Sequence, residues 1–327
     1  MIKRTIYFGN PAYLSKQNDQ LVVKLPELKK AASEELKSNS EPIPGDSNPN
    51  QKYLDRGNIN TIPVEDIGIV ILDNQQITIT QGLLSSLLEN NTAVVSCNFS
   101  HMPIGLFLPL ESNLTQSERF QSQIIASEPL KKQLWQQTIS SKIYNQAAIL
   151  RNRKKTNDNM KRWAKDVRSG DSENLEGRAA AYYWKNVFPT ELEFVRDRNG
   201  LPPNNLLNYG YAILRAIVAR SLVASGLLPT LGIHHHNKYN AYCLADDIME
   251  PYRPYVDELV VTFVEDGEDF TELTPSIKKQ LLTIPAIDIF IDNEKSPLMV
   301  GMQKTTASLV KCFNGEAKKI IYPTMFN

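Results

Sequence analysis

The spacing of apolar residues changes once along this chain, near Asn113, and that change constrains its fold more than any other feature. Before it, runs of β-forming residues are short. Residues 4–8 (RTIYF), 21–25 (LVVKL), 61–64, 67–72 and 93–97 read as strands, punctuated by Gly9-Asn10-Pro11 and Asn18-Asp19 turn chemistry. Residues 77–80 alternate and lead into a short helix at 81–89 with Leu83, Leu84, Leu87 and Leu88. After the change the segments are long and helical. Residues 117–126, 129–151, 159–167, 173–184 and 204–223 repeat their apolar positions at helical intervals, and 255–264, 277–283 and 300–310 continue the pattern. The expected fold class is therefore α+β. A small N-terminal β-sandwich-like domain (1–98, with a flexible polar loop at 31–56) precedes a Pro- and Gly-bearing linker (99–112) and a larger all-α domain (113–327).

A chain of 327 residues is long enough for two domains. Basic and acidic residues balance, 36 against 36, which argues against a uniformly basic nucleic-acid binder but leaves room for a local basic surface. The three cysteines, Cys97, Cys243 and Cys312, form no CxxC pair, so a zinc site is excluded and reduced thiols in a cytoplasm are expected. No apolar run reaches about 18 residues, so no membrane span is expected.

Chemistry concentrates in residues 231–257, LGIHHHNKYNAYCLADDIMEPYRPYVD. The segment opens with His234, His235 and His236 and later carries Asp246, Asp247 and Glu250 before Pro251, where the helix is expected to stop. Asp247 and Glu250 are three apart and share a helix face, as Asp246 and Glu250 do at four apart. Carboxylates on a half-buried helix need a cation, a basic partner or water. Three consecutive histidines cannot all face one ion, and an acidic helix end before a proline is commonly just solvated. What favours a metal site is the conjunction of imidazole and carboxylates in one segment.

A second feature is electrostatic. Between Lys142 and Arg168 lie nine basic residues against Asp158 and Asp166 alone. A solvated helix face is the ordinary reading of such a run. The sharper one is a phosphate-contacting surface that includes Arg151, Arg153, Lys154, Lys155, Lys161 and Arg162. Trp163 could stack on a base there, or pack in the core.

Three motifs together carry a family resemblance. They are LEGRAAAYYW around Glu176, NNLLNYGYAIL from Asn204, and LGIHHHNKYNAYCLADDIMEPYRP with Gly232, His235, Asp247, Glu250 and Arg253 in register. The chain resembles the CRISPR-associated Cas-one (Cas1) integrase family, in the form that accompanies type II systems, over essentially its whole length. The resemblance implies catalytic residues Glu176, His235, Asp247 and Glu250. It implies a Mg²⁺ or Mn²⁺ ion on Glu176, His235 and Glu250, and an imidazole among the ligands suits Mn²⁺ better. Asp247 is then expected to orient His235 or a metal-bound water rather than to bind the ion directly. The implied reaction is phosphoryl transfer, a DNA 3′-hydroxyl attacking a phosphodiester at the edge of a CRISPR repeat, with endonuclease activity when water attacks instead. The implied partners are a second copy of the chain, a small ferredoxin-like Cas-two (Cas2) subunit, duplex prespacer DNA, repeat DNA and the type II effector. The competing functions are a stand-alone divalent-metal nuclease on branched DNA and a non-catalytic DNA-binding scaffold.

Overall fold

The computed structural model describes residues 3–25, 59–111 and 113–325. The loop expected at 31–56 lies outside them. The N-terminal part holds β1 (Arg4–Phe8), β2 (Tyr13–Gln17), β3 (Gln20–Lys24), β4 (Ile59–Pro63), β5 (Ile67–Leu72), β6 (Thr78–Ile79), α1 (Gln81–Glu89), β7 (Ala93–Cys97) and β8 (Pro103–Phe107). They form two four-stranded sheets, ordered β1-β5-β7-β8 and β4-β3-β2-β6. Leu14, Leu21, Val23, Ile67, Val70 and Val94 meet Leu83 and Leu87 of α1 between the sheets. Strand β5 reads IGIVIL without alternation because both of its faces are buried, as parallel strands usually are. Val70 points to the inter-sheet core, whereas Ile69 and Ile71 join the helical core on the other side.

Two expectations need correction here. The segment 99–112 is not simply a linker: β8 pairs antiparallel with β7, Val94 opposite Phe107, and closes the first sheet. Pro103 is tolerated because it opens an edge strand, where no ladder hydrogen bond is lost. The C-terminal part is not all-α either. Between α9 (Pro275–Leu281) and α10 (Leu298–Phe313), β9 (Asp288–Ile291) and β10 (Glu294–Pro297) form a hairpin. Asp292 and Asn293 both take positive φ at its turn, as a tight two-residue hairpin requires.

The helical part comprises α2 (Gln116–Ile125), α3 (Glu128–Asn152), α4 (Asp158–Asp166), α5 (Leu175–Val187), α6 (Asn204–Ala224), α7 (Cys243–Met249) and α8 (Arg253–Glu265), then α9 and α10. Among the described residues α6 is the one helix long and apolar enough to cross a membrane, but 78% of its apolar window is buried, so here it is the central core helix. Helix α7 ends at Met249, close to the stop expected at Pro251. A 3-10 turn at Glu250–Tyr252 leads directly into α8. Pro251 and Pro254 each sit in the first turn of their element, where a missing N–H removes no intrahelical bond.

Candidate metal-ion active site

Side chains from three elements meet at one position, and a loop brings an imidazole within electrostatic range of it. Helix α3 presents Trp135, Thr138, Lys142 and Asn145 along a single face, spaced three, four and three residues apart. Helix α5 presents Glu176 in its first turn. That terminus is held from two sides: Asn174 accepts a hydrogen bond from the Gly177 N–H, and the Asp171 carboxylate accepts from the N–H groups of Leu175 and Glu176 at 2.9 Å each. The 3-10 turn presents Glu250. It is locked by buried Asn145, whose amide donates to the Pro251 carbonyl at 2.8 Å and to the Pro323 carbonyl at 3.1 Å. The loop between α6 and α7 supplies the histidines.

The two glutamates meet at a lysine. Lys142 Nζ lies 2.6 Å from Glu176 Oε1 and 2.6 Å from Glu250 Oε2. Arg253 Nε takes the other oxygen, Glu250 Oε1, at 2.7 Å. Burial alone would raise the Glu250 carboxyl, but Arg253 and Lys142 outweigh it and hold it at about 2. Burial likewise works against the Lys142 ammonium, and Glu250 and Glu176 overcome it, raising Lys142 above the ordinary lysine value. Glu250 is thus a permanent anion in a buried site. Its buried Oε2 is held by the Lys142 ammonium at 2.6 Å.

Asp247 organises the histidine loop. Fully buried, it accepts from the N–H groups of Ile233 (2.7 Å), His234 (2.9 Å) and His235 (3.3 Å), and its Oδ1 lies 2.5 Å from His235 Nδ1. Gly232 is required by the close approach: a Cβ there would lie 2.4 Å from the His235 carbonyl oxygen and 2.8 Å from Asp247 Oδ2. The hydrogen bond to Asp247 raises the pKa of His235 against the opposing effect of burial. With Nδ1 engaged, Nε2 is the nitrogen left for a ligand. His234 is stacked flat on Trp135, with ring centroids 4.1 Å apart, and burial lowers its pKa. His235 meets the same indole edge-on at 5.6 Å. His236 is exposed. Asp246 faces elsewhere, held by Arg215 Nε at 2.7 Å and Asn240 Nδ2 at 2.7 Å.

Among the described residues, no three acid, imidazole or thiol groups stand close enough together to hold an ion as placed. Glu176 and Glu250 do converge, on the nitrogen of Lys142. The residues nevertheless fit a divalent cation. Two carboxylates already share one cation position, occupied by an ammonium, and an imidazole fixed by Asp247 lies within electrostatic range of both.

The basic stretch divides. Arg151, Lys154, Lys155 and Arg162 are exposed and Lys161 is half-buried, lying 3.7 Å from Asp158. Arg153 is different. Its side chain is 10% exposed and binds Glu258 at 2.6 Å and Glu265 at 2.8 Å on α8, so this guanidinium is engaged within the protein. Trp163 packs edge-on against Tyr182 at 5.9 Å.

Sequence reasoning counted Lys142 only as one charge in a basic run and gave Trp135, Asn145 and Asp171 no role. The usable signal was their common face on α3 and the Asp171–Asn174 spacing ahead of a helix.

With this geometry in place, comparison with known proteins is decisive. Residues 48–283 match the family model described as CRISPR associated protein Cas1. The chain belongs to the Cas1 family. It is 38% identical over 256 residues to the CRISPR-associated endonuclease Cas1 of Neisseria meningitidis, covering 77% of this chain and 83% of that one. Two solved structures share the fold at lower identity. A casposase bound to integration product aligns with a TM-score of 0.73 at 19% identity, over 98% of this chain and 92% of that one. A Cas6-RT-Cas1–Cas2 complex aligns with a TM-score of 0.67 at 19% identity, over 97% of this chain and 35% of that one. Every residue of the Cas1 site described above lies inside the matched segment, apart from the tail carbonyl that Asn145 also holds.

Proposed function

We propose that this Cas1 protein is the integrase of CRISPR adaptation, a metal-dependent enzyme that joins prespacer 3′-hydroxyl ends to repeat DNA and cleaves DNA when water replaces the hydroxyl. The observation that carries this reading is the convergence of Glu176 and Glu250 on one cation position, with the His235 imidazole, clamped by Asp247, within electrostatic range of both. Glu176, Glu250 and His235 Nε2 would hold Mg²⁺ or Mn²⁺, and a divalent ion there supplies Lewis-acid stabilisation of charge developing on a phosphodiester. The protein's own part is positioning. Asp247 fixes the ring of His235 and the loop that bears it, and Asn145 fixes the turn that bears Glu250. Arg253 keeps Glu250 ionised.

The basic surface formed by Arg151, Lys154, Lys155 and Arg162, with Lys161, would take duplex phosphates. A homodimer is supported by apolar side chains left exposed on and beside edge strand β8: Phe99, Ile104, Phe107 and Leu110. A small Cas2 subunit is the partner expected by analogy with the Cas6-RT-Cas1–Cas2 complex. A type II effector is a further proposed partner, and the cytoplasm is the proposed compartment.

The test is joining of a labelled 3′-hydroxyl duplex into repeat DNA by the purified chain with its cognate small partner, in Mg²⁺ and in Mn²⁺. Joined product that requires both the ion and Glu250 supports the proposal. Cleavage of branched DNA without any joining would replace it with a stand-alone nuclease, and binding without either reaction would leave a scaffold.

A further inference from the structure

Glu176 and Glu250 approach from different elements, and two carboxylates that face each other repel unless a cation lies between them. In this structure the cation belongs to the chain itself. Lys142 Nζ sits 2.6 Å from an oxygen of each, on a side chain only 12% exposed, at the middle of α3. Arg253 occupies Glu250 Oε1, so Oε2 is the oxygen of Glu250 available to a ligand, and it is the oxygen that Lys142 touches. A divalent ion bound by both glutamates and the Lys142 ammonium cannot share the gap. Their like charges forbid it even where space does not.

We propose that Lys142 is a built-in competitor of the active-site metal: its ammonium fills the gap between Glu176 and Glu250 in the metal-free protein and must swing out for the ion to enter. This rests on the metal-site reading above. Two consequences follow from mass action. In the metal-free site the buried Glu250 carboxylate and the partly buried Glu176 carboxylate keep a cationic partner. Metal affinity is lowered by the free energy of pulling Lys142 away from them, since ion and ammonium bind the same oxygens. Lys142 is thus a positioning residue that sets how much divalent ion the site needs.

The sign of one measurement separates this role from a purely structural one. Mn²⁺ binding to the full chain is measured by the electron paramagnetic resonance of free Mn²⁺, for wild type, Lys142→Gln and Lys142→Arg. Thermal unfolding is recorded with and without the ion. Lys142→Gln should bind Mn²⁺ about tenfold more tightly, equivalent to about 1.4 kcal/mol. It should melt lower without metal and gain more from Mn²⁺ than wild type does. Lys142→Arg keeps the charge and should show no tightening. If Lys142→Gln folds and binds Mn²⁺ no better than wild type, or worse, the competition is overturned. Should that variant not fold, wild type alone decides. The ¹⁵N resonance of the Lys142 ammonium, assigned by its loss in Lys142→Arg, should move or exchange away as Mg²⁺ saturates the site. A resonance unchanged at saturation overturns the proposal. Failure of wild type and both variants to bind Mn²⁺ at all would instead sink the metal site on which it rests.

Discussion

Glu250 and Asp257 lie two helical turns apart on nearly continuous helix, and both are buried, at 5% and 1% exposure. Their surroundings drive them in opposite directions. Glu250 has two cations in contact, Arg253 and Lys142, and stays ionised down to about pH 2. Asp257 has hydroxyls instead: Tyr183 donates to Oδ2 at 3.1 Å and Tyr211 donates to Oδ1. Burial raises its carboxyl more than those hydrogen bonds, and the more distant Arg253 and Arg196, lower it, and it titrates at about 7. Hydroxyls satisfy a carboxylate's lone pairs without neutralising its charge. Only the first arrangement makes a standing anion suited to a metal ion. The second makes a joint, because Asp257 ties α8 to α5 through Tyr183 and to α6 through Tyr211.

The largest effect should come from removing the anion that the cations maintain. Glu250→Gln keeps the shape of the side chain, so DNA joining should fall by more than about 100-fold while DNA affinity changes little. A parallel collapse of DNA affinity would show that Glu250 holds the fold or the DNA rather than the reaction. Asp247→Asn should cost less, about 10–100-fold, because Asp247 acts through His235 and its loop. Part of that loss should return at higher Mn²⁺ concentration, whereas Glu250→Gln should not recover. Equal and unrescued losses would put Asp247 directly on the ion.

The two carboxylates also show what could be read from sequence. The helices were legible because long amphipathic segments repeat their pattern many times, and α3, α5, α6 and α10 lie within a few residues of expectation. Strand β2 reads YLSKQ and β10 reads EKSP, so neither offers the run of β-formers that marks β1, β3 and β7. Strand β8 was hidden by Pro103 and Gly105, which signal a linker unless the strand is known to be at an edge. Within the site, the motif around His235, Asp247 and Glu250 was visible because it is local. Lys142 was not, because nothing local shows that one lysine of a basic run lies between glutamates 34 residues and 108 residues away. Asp257 was equally silent, since its state depends on tyrosines from two other helices.

Asp257 offers a different kind of test, in stability rather than activity. Its folded pKa lies above the ordinary carboxylate value, so the folded state holds a proton that the unfolded chain releases near pH 4. Its contribution is therefore fully present below about pH 4 and is lost as pH rises through about 7. Asp257→Asn mimics the protonated acid and cannot ionise. Relative to wild type, the variant should gain stability steadily from pH 4 to pH 7, by a total of a few kcal/mol, in urea unfolding at each pH. A constant difference across that range would mean that Asp257 is ionised throughout, and the contrast with Glu250 would disappear.

The smallest effects belong to the C-terminal end of α3 and sharpen the same distinction between paired and unpaired charge. Arg153 was expected to meet DNA phosphate along with its neighbours, yet it is bound to Glu258 and Glu265, which are themselves 34% and 40% exposed. Partial exposure screens such pairs, so Arg153→Ala should cost about 1 kcal/mol of stability. Because its charge is already satisfied, removing it should leave the salt dependence of DNA binding unchanged. Lys154 and Lys155 sit one and two residues further on, exposed at the end of α3. Neutralising both should leave stability within about 0.5 kcal/mol. It should weaken binding across DNA sequences and reduce the slope of log affinity against log salt by about 0.9 for each phosphate that is no longer neutralised. Chemical denaturation and salt titrations of the two variants side by side decide the matter. A slope that falls with Arg153→Ala would mean that its ion pairs open when DNA binds, and a slope indifferent to Lys154 and Lys155 would return the whole stretch to a solvated helix end.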